Sequence, residues 1–222
     1  RIESQINQPI SPEKRAWYIA TRDADFSGSE EKMWQEYPST PEEAFQKSTE
    51  GCYYTEQLTK ARKENRICNV PFVEGVPVNT FWDIGSSDGT AIWFHQRIGQ
   101  ENRFIRFYEA WGEPYSYFVR YMQSLGYVWG KHYLPHDATH KRQQGDSVKS
   151  PEDMLYELGL RDIEIVPRVD EIQHGIQATR DIFSQCWFDE THCKEGLAHL
   201  QQYRKEWNDR QGCWKDKPRH DI

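Results

Sequence analysis

The sequence predicts a mixed α/β sheet flanked by helices on both faces. Three apolar or alternating runs, Val78–Ile84, 91–98 and 104–111, follow one another with only short, turn-rich links between them. The later strand-like runs are instead separated by helix-like segments. Short links make antiparallel hairpins, whereas a helical crossover returns the chain parallel to its start. The expectation is therefore three antiparallel strands followed by strands joined through helices, with the helices burying their apolar stripes against the sheet.

Residues 1–50 are unlike the rest. Pro9, Pro12, Pro38 and Pro41 interrupt them and charged residues dominate. Ser39-Thr40-Pro41-Glu42-Glu43-Ala44-Phe45 combines a capping residue, a proline at the first helical position and acidic residues in the first turn, which predicts a short helix. So little apolar surface predicts a linker, or a tail lying against a neighbouring domain. Residues 51–222 carry the periodic elements. A polar helix is expected over 55–65, then the three strands, with Gly85-Ser86-Ser87-Asp88-Gly89 and Gly99-Gln100-Glu101-Asn102 as the turns. An aromatic-rich helix over 115–125 ends at Gly126, and a fourth strand over 128–135 ends at His136-Asp137. The polar stretch 140–150 reads as a loop, followed by a helix from Pro151 and a fifth strand over 162–167. A helix over 171–186 places Ile172, Ile176, Thr179 and Phe183 on one face. A short strand at Trp187-Phe188-Asp189 and a helix over 194–203 follow. The run 203–218, centred on Asn208-Asp209-Arg210-Gln211-Gly212, predicts a hairpin that brings Trp207 near Trp214.

Composition narrows the function classes. The chain has 222 residues, 36% of them hydrophobic and 14% aromatic, enough for one domain with a core plus an appendage. It opens on Arg1 rather than Met, so a fragment of a longer chain is expected. No apolar run is long enough to cross a membrane. Five widely spaced cysteines with no C-x-x-C pair point to a reduced, intracellular protein, although a zinc site from Cys186, His192, Cys193 and Cys213 is conceivable. The net charge of −7 argues against a general nucleic-acid surface but allows a locally basic groove.

The stretch Phe81-Trp82-Asp83-Ile84-Gly85-Ser86-Ser87-Asp88-Gly89 sets a carboxylate at the end of an apolar strand, beside glycines that allow close approach of a phosphate or a metal. Asp137 ends another predicted strand, and Asp221 lies in Arg219-His220-Asp221-Ile222. Three converging carboxylates repel one another unless cations hold them, and an all-oxygen set suits Mg2+ or Mn2+. Two such ions stabilise the attacking and leaving oxygens of a phosphodiester displacement. Asp88 is an auxiliary candidate for the second ion or for shaping the turn. Lys131, His132, His136, His140, Lys141, Arg142 and Lys149 make the surroundings of Asp137 basic and form a candidate DNA-binding group or a solvated loop.

Met33-Trp34-Gln35-Glu36-Tyr37-Pro38-Ser39-Thr40-Pro41-Glu42-Glu43-Ala44-Phe45 resembles the segment that ends the motor domain in large terminase subunits of tailed bacteriophages, the DNA-packaging motors. Asp83-Ile84-Gly85, Leu134-Pro135-His136-Asp137-Ala138 and His220-Asp221 are similar to the three acidic positions of that family's ribonuclease H-like nuclease domain. The resemblance implies that residues 1–50 are the linker or tail of an ATPase domain not present here, and that 51–222 are the nuclease domain. It implies metal-dependent cleavage of double-stranded DNA with little sequence specificity, with Asp83, Asp137 and Asp221 as ligands of two Mg2+ or Mn2+ ions. ATP would be used only by the upstream motor, since no G-x-x-x-x-G-K-[ST] loop occurs. The expected partners are the portal protein and the small terminase subunit, with no membrane, in the cytoplasm of a host bacterium. The 203–218 hairpin is similar in placement to one that lies beside the family's nuclease site.

Two other readings remain open from the residues alone. Asp83-Ile84-Gly85 with Gly89-Thr90 could be the phosphate turn of a sugar-kinase or actin-like phosphotransferase, but the second phosphate turn that such a fold needs is missing. A non-catalytic portal-docking module is the third reading.

Overall fold

A computed structural model describes residues 9–30, 33, 36, 37, 51–85, 89–144, 147–208 and 213–219; the side chains of 142–144, 147, 148 and 216 lie outside that description. The chain divides into two compact units, Arg1–Glu50 and Gly51–Ile222.

In the first unit, helix α1 spans Pro12–Asp25. The Ser11 hydroxyl accepts from the Lys14 amide at 3.4 Å, Pro12 occupies the first turn and Glu13 faces the helix N-terminus. These are the same start signals that predict a helix at Ser39. The Ser39–Phe45 prediction lies outside the described residues. Trp17 and Phe26 meet the Tyr37 ring edge-on, with centroids at 5.3 and 6.3 Å.

The second unit begins with helix α2 (Thr55–Lys63) and a two-residue strand β1 (Ile67–Cys68), then β2 (Val78–Ile84), β3 (Thr90–Ile98) and β4 (Glu101–Ala110). Helix α3 (Tyr115–Ser124) leads to β5 (Trp129–Leu134), a 3-10 turn over His136–Thr139, and a small hairpin of β6 (Arg142–Gln144) with β7 (Ser147–Lys149). Helix α4 (Pro151–Glu157), β8 (Ile163–Ile165), α5 (Ile172–Ile182), β9 (Cys186–Asp189) and α6 (Lys194–Gln202) follow. The chain closes with β10 (Lys205–Asn208) paired to β11 (Cys213–Pro218).

Seven strands make one sheet in the order β1-β9-β4-β3-β2-β5-β8. Strand β3 is antiparallel to β2 and β4, and every other pairing is parallel. The run β4-β3-β2-β5-β8 is the ribonuclease H-like mixed sheet that the sequence predicts. Alternation along β2 sends Val78, Thr80, Trp82 and Ile84 to one face, which packs with Ile92, Phe94, Leu134 and the α3 residues Phe118, Val119 and Met122. The opposite face, over β3, β4 and β9, is covered by α2, α5, the 3-10 turn after α5, and α6, through Leu58, Ile176, Phe183 and Leu197 respectively. Phe94 and Phe118 are wholly buried, and each such side chain contributes roughly 2–3 kcal/mol of transfer free energy.

Four expectations need correction. The edge strand β1 was not anticipated; Arg66, beside it, is fixed by donating to the carbonyl of Cys186 at 2.8 Å, 120 residues away. The 140–150 stretch is not all loop, because β6 and β7 pair within it. The helix expected to reach Cys186 ends at Ile182, where the chain tightens into a 3-10 turn over Phe183–Gln185 before Cys186 opens β9. Ile172, assigned by periodicity to the buried face of that helix, is 58% exposed. The predicted hairpin forms, with Trp207 opposite Trp214 and their ring centroids 4.9 Å apart.

Candidate functional site

Asp83 is the last outward residue of β2. Its neighbours Trp82 and Ile84 are buried in the core, so the alternation holds the carboxylate exposed on the opposite face. The turn that follows is closed by the Gly85 amide donating to the Gly89 carbonyl at 2.9 Å. Gly89 has a φ of +96°, and a Cβ there would come within 2.8 Å of the Trp111 ring. Both facts require glycine at this point.

Asp137 comes from the neighbouring strand. Strand β5 runs parallel to β2 with Phe81 opposite Tyr133, so both strands present their carboxyl ends at the same edge of the sheet. Pro135 leads into the 3-10 turn, where the Asp137 carbonyl accepts from the His140 amide at 3.0 Å and the side chain is half-buried. The fold thus sets two acids that are far apart in sequence at the carboxyl ends of adjacent parallel strands. Asp88 and Asp221 lie outside the described residues. Among the described residues, no three His, Cys, Asp or Glu side chains gather closely enough to hold a metal ion.

Behind these strand ends, β2 and β5 are joined by a buried polar chain. The Trp82 indole N–H donates to the Thr80 hydroxyl at 2.8 Å, and that hydroxyl lies 2.7 Å from His132 Nδ1. The indole occupies one lone pair of the hydroxyl, and either the second lone pair or the hydroxyl proton meets Nδ1, according to the tautomer of the ring. Burial pushes the His132 imidazolium down to about 4, against a weaker upward pull from Asp162. His132 is therefore a neutral strand fastener and does not belong to the basic group around Asp137.

The rest of that group is mixed. Lys131 is ion-paired with Glu164 at 2.6 Å, and Lys149 with Glu157 at 2.5 Å. His136, His140 and Lys141 are exposed, and the two imidazole rings meet edge-on at 6.4 Å. The Arg142 side chain is among those outside the description.

A cleft of about 820 Å³ opens on the other side of Asp83, over β3 and β4; Asp137 does not line it. Its floor follows from strand register. Asp83 lies opposite Ala91 and Ala91 opposite Glu109, so the two acids face each other across a methyl group. Glu109 Oε1 is 2.8 Å from Nε2 of His199, on α6. Exposed Trp111 also lines the cleft, as do Arg204, Lys217 and Arg219, from the start and end of the terminal hairpin. Sequence reading missed Glu109, His199 and Trp111. The only signal was a carboxylate at an outward position of an aromatic strand.

All five cysteines are free thiols. Cys186 and Cys193 are buried in the core under α5 and α6 while Cys213 is exposed, so the zinc grouping considered above is not formed among the described residues.

No protein-family model matches the chain, and no curated protein is recognisably related to it in sequence. Solved structures do match. The large terminase of a thermophilic bacteriophage superposes with a TM-score of 0.51 at 13% identity, over 70% of this chain and 38% of that one. The same protein in complex with ATP-gamma-S gives 0.52 at 14% identity, with the same coverage. The P22 large terminase nuclease domain gives 0.49 at 15% identity, over 69% of this chain and 81% of that domain. This chain, spanning 38% of the length of the thermophilic phage's large terminase, shares a fold with that part of it.

Proposed function

We propose that the chain is the nuclease domain of a phage-type large terminase, a divalent-metal-dependent endonuclease that cuts double-stranded DNA with little sequence specificity during genome packaging. The observation that carries this reading is the placement of Asp83 and Asp137 at the carboxyl ends of adjacent parallel strands in a ribonuclease H-like sheet. The terminase-like segments of the sequence and the fold shared with the thermophilic phage terminase point the same way. Asp83 and Asp137 would hold Mg2+ or Mn2+, with Asp221 as the third expected ligand and Asp88 as an auxiliary one. Two carboxylates on neighbouring strand ends fit one side of such an all-oxygen site. When bound, the ions neutralise charge that develops on the phosphate and make water a nucleophile at neutral pH.

The protein's own residues set the geometry. The Trp82–Thr80–His132 chain locks β2 to β5 and with it the separation of the two acids. Gly89 allows the turn behind Asp83 to pass close under Trp111. His136, His140 and Lys141 are exposed beside Asp137, and with Lys131, Arg142 and Lys149 would meet the DNA backbone, where each phosphate contact makes affinity fall as salt rises. In this reading ATP belongs to a motor domain preceding residue 50, and the portal protein, the small terminase subunit and the bacterial cytoplasm are the setting.

The test is plasmid cleavage in Mn2+ or Mg2+. Asp83→Ala and Asp137→Ala are each expected to lower the rate by a factor on the order of a hundred or more, the usual loss when a preorganised charge-stabilising group is removed. Circular dichroism should be unchanged, because Asp83 is exposed and Asp137 only half-buried. Undiminished cleavage by the Asp83→Ala protein would overturn the assignment.

A further inference from the structure

The cleft beside Asp83 has a composition that cleavage of a phosphodiester does not by itself require. Trp111 is 59% exposed, the most exposed large apolar side chain among the described residues. It is not a loose appendage: its indole lies against Gly89, in the turn that follows Asp83. The same cleft is lined by Arg204, Lys217 and Arg219, with Lys217 also held by Glu206 at 3.1 Å. An exposed aromatic ring and a set of cations lining one cleft are the means by which proteins hold unpaired nucleic acid, with bases stacking on the rings and phosphates tracking the charges.

The size of the cleft selects the form of the ligand. At about 820 Å³ it falls within the 300–1,000 Å³ range of sites that enclose one small organic molecule, the scale of one or two nucleotides. A duplex can lie across the opening, but a volume of this size cannot enclose it.

We propose that this cleft receives a single unpaired strand: a nucleotide next to the scissile phosphate leaves the duplex and stacks on Trp111, while Arg204, Lys217 and Arg219 take its flanking phosphates. This rests on the nuclease reading and specifies the form of DNA that the site engages. The duplex is bound as a whole, and the cut is made where one strand has been drawn away. Unpairing is easiest at mismatched or already frayed positions, so such positions are the preferred substrates.

The test uses the full 222-residue chain without metal, in EDTA, with a 10-nucleotide single strand carrying 2-aminopurine and a blunt duplex of the same sequence. The single strand should bind at least about tenfold more tightly than the duplex, with quenching of the 2-aminopurine as it stacks. Trp111→Ala should weaken single-strand binding by about tenfold and abolish the quenching, without changing duplex affinity or the thermal midpoint. Lys217→Ala should lower the slope of log affinity against log salt for the single strand by about 0.7. A duplex that binds as tightly as the single strand, or a Trp111→Ala protein that binds and quenches like the wild type, overturns the proposal. Because no metal is present, the outcome is independent of the Asp83→Ala cleavage assay. A chain that cuts plasmid but fails here loses only the unpaired-strand step, and one that binds the strand but never cuts loses the nuclease assignment.

Discussion

Acid should unfasten the two strands that carry the candidate catalytic acids. His132 is 2% exposed, and its ring is tied to β2 through the Thr80 hydroxyl, 2.7 Å from Nδ1. Its proton affinity in the folded state, about 4, is depressed from the ordinary 6.5. A histidine depressed in this way binds more protons unfolded than folded. Its contribution is therefore intact above pH 6.5 and is lost as the pH falls from 6.5 towards 4. Between pH 7 and pH 5 the loss from this one residue is about 2 kcal/mol, taking 1.36 kcal/mol per unit. Buried His95 is shifted downward too, mainly by burial, so the wild type should lose somewhat more than this. Urea unfolding at the two pH values measures the total, and the same experiment on His132→Gln isolates the residue. The variant should be less stable at pH 7 but lose about 2 kcal/mol less on acidification. If His132→Gln shows the same pH dependence as the wild type, the imidazole is not held neutral by burial and the strand-fastening argument fails.

Two further predictions concern packing and thiol chemistry. A methyl group at Gly196 on α6 would lie 2.5 Å from Trp93 and 2.7 Å from Phe107, so Gly196→Ala should cost about 1–3 kcal/mol in urea unfolding, whereas a gain, as expected for alanine in an open helix, would refute the tight contact. Burial raises the Cys186 and Cys193 thiols to about 11 and about 12, so at neutral pH an alkylating reagent should label exposed Cys213 quickly and those two only after denaturation; mass spectrometry of the native protein showing early labelling of Cys193 would contradict the core placement.

What the sequence disclosed divides along the range of the interactions involved. Strand β2 was found at its observed bounds because Val78, Thr80, Trp82 and Ile84 alternate with Phe81 and Asp83, a signal contained in seven residues. The terminal hairpin was legible for the same reason, as its two tryptophans flank a glycine-bearing turn. Strand β1 has no such signal: two residues become a strand only because β9 arrives beside them. The end of α5 was misjudged because Phe183 continues the helical period, while tertiary pairing draws Cys186 into the sheet. At the site, Asp83 and Asp137 were visible as acids ending apolar runs. The Glu109–His199 pair was not, since its members are 90 residues apart and each looks like any surface polar residue. His132 misled because sequence proximity to Lys131 and His136 suggested a charged surface, and only the pleat reveals that it points inward.

The pairing of β1 with β9 also constrains how a ribosome can deliver this domain. Arg66 finds its acceptor carbonyls 117 and 120 residues further along. At ordinary translation speeds, that stretch takes on the order of ten seconds to emerge. Throughout that interval Ile67 and the apolar side of α2 have no permanent neighbour, although the β2-β3-β4 meander, built from short-range pairings, can already form. The nascent chain should therefore pass through a half-built stage with a sticky amino-terminal flank, when chaperones would be most needed.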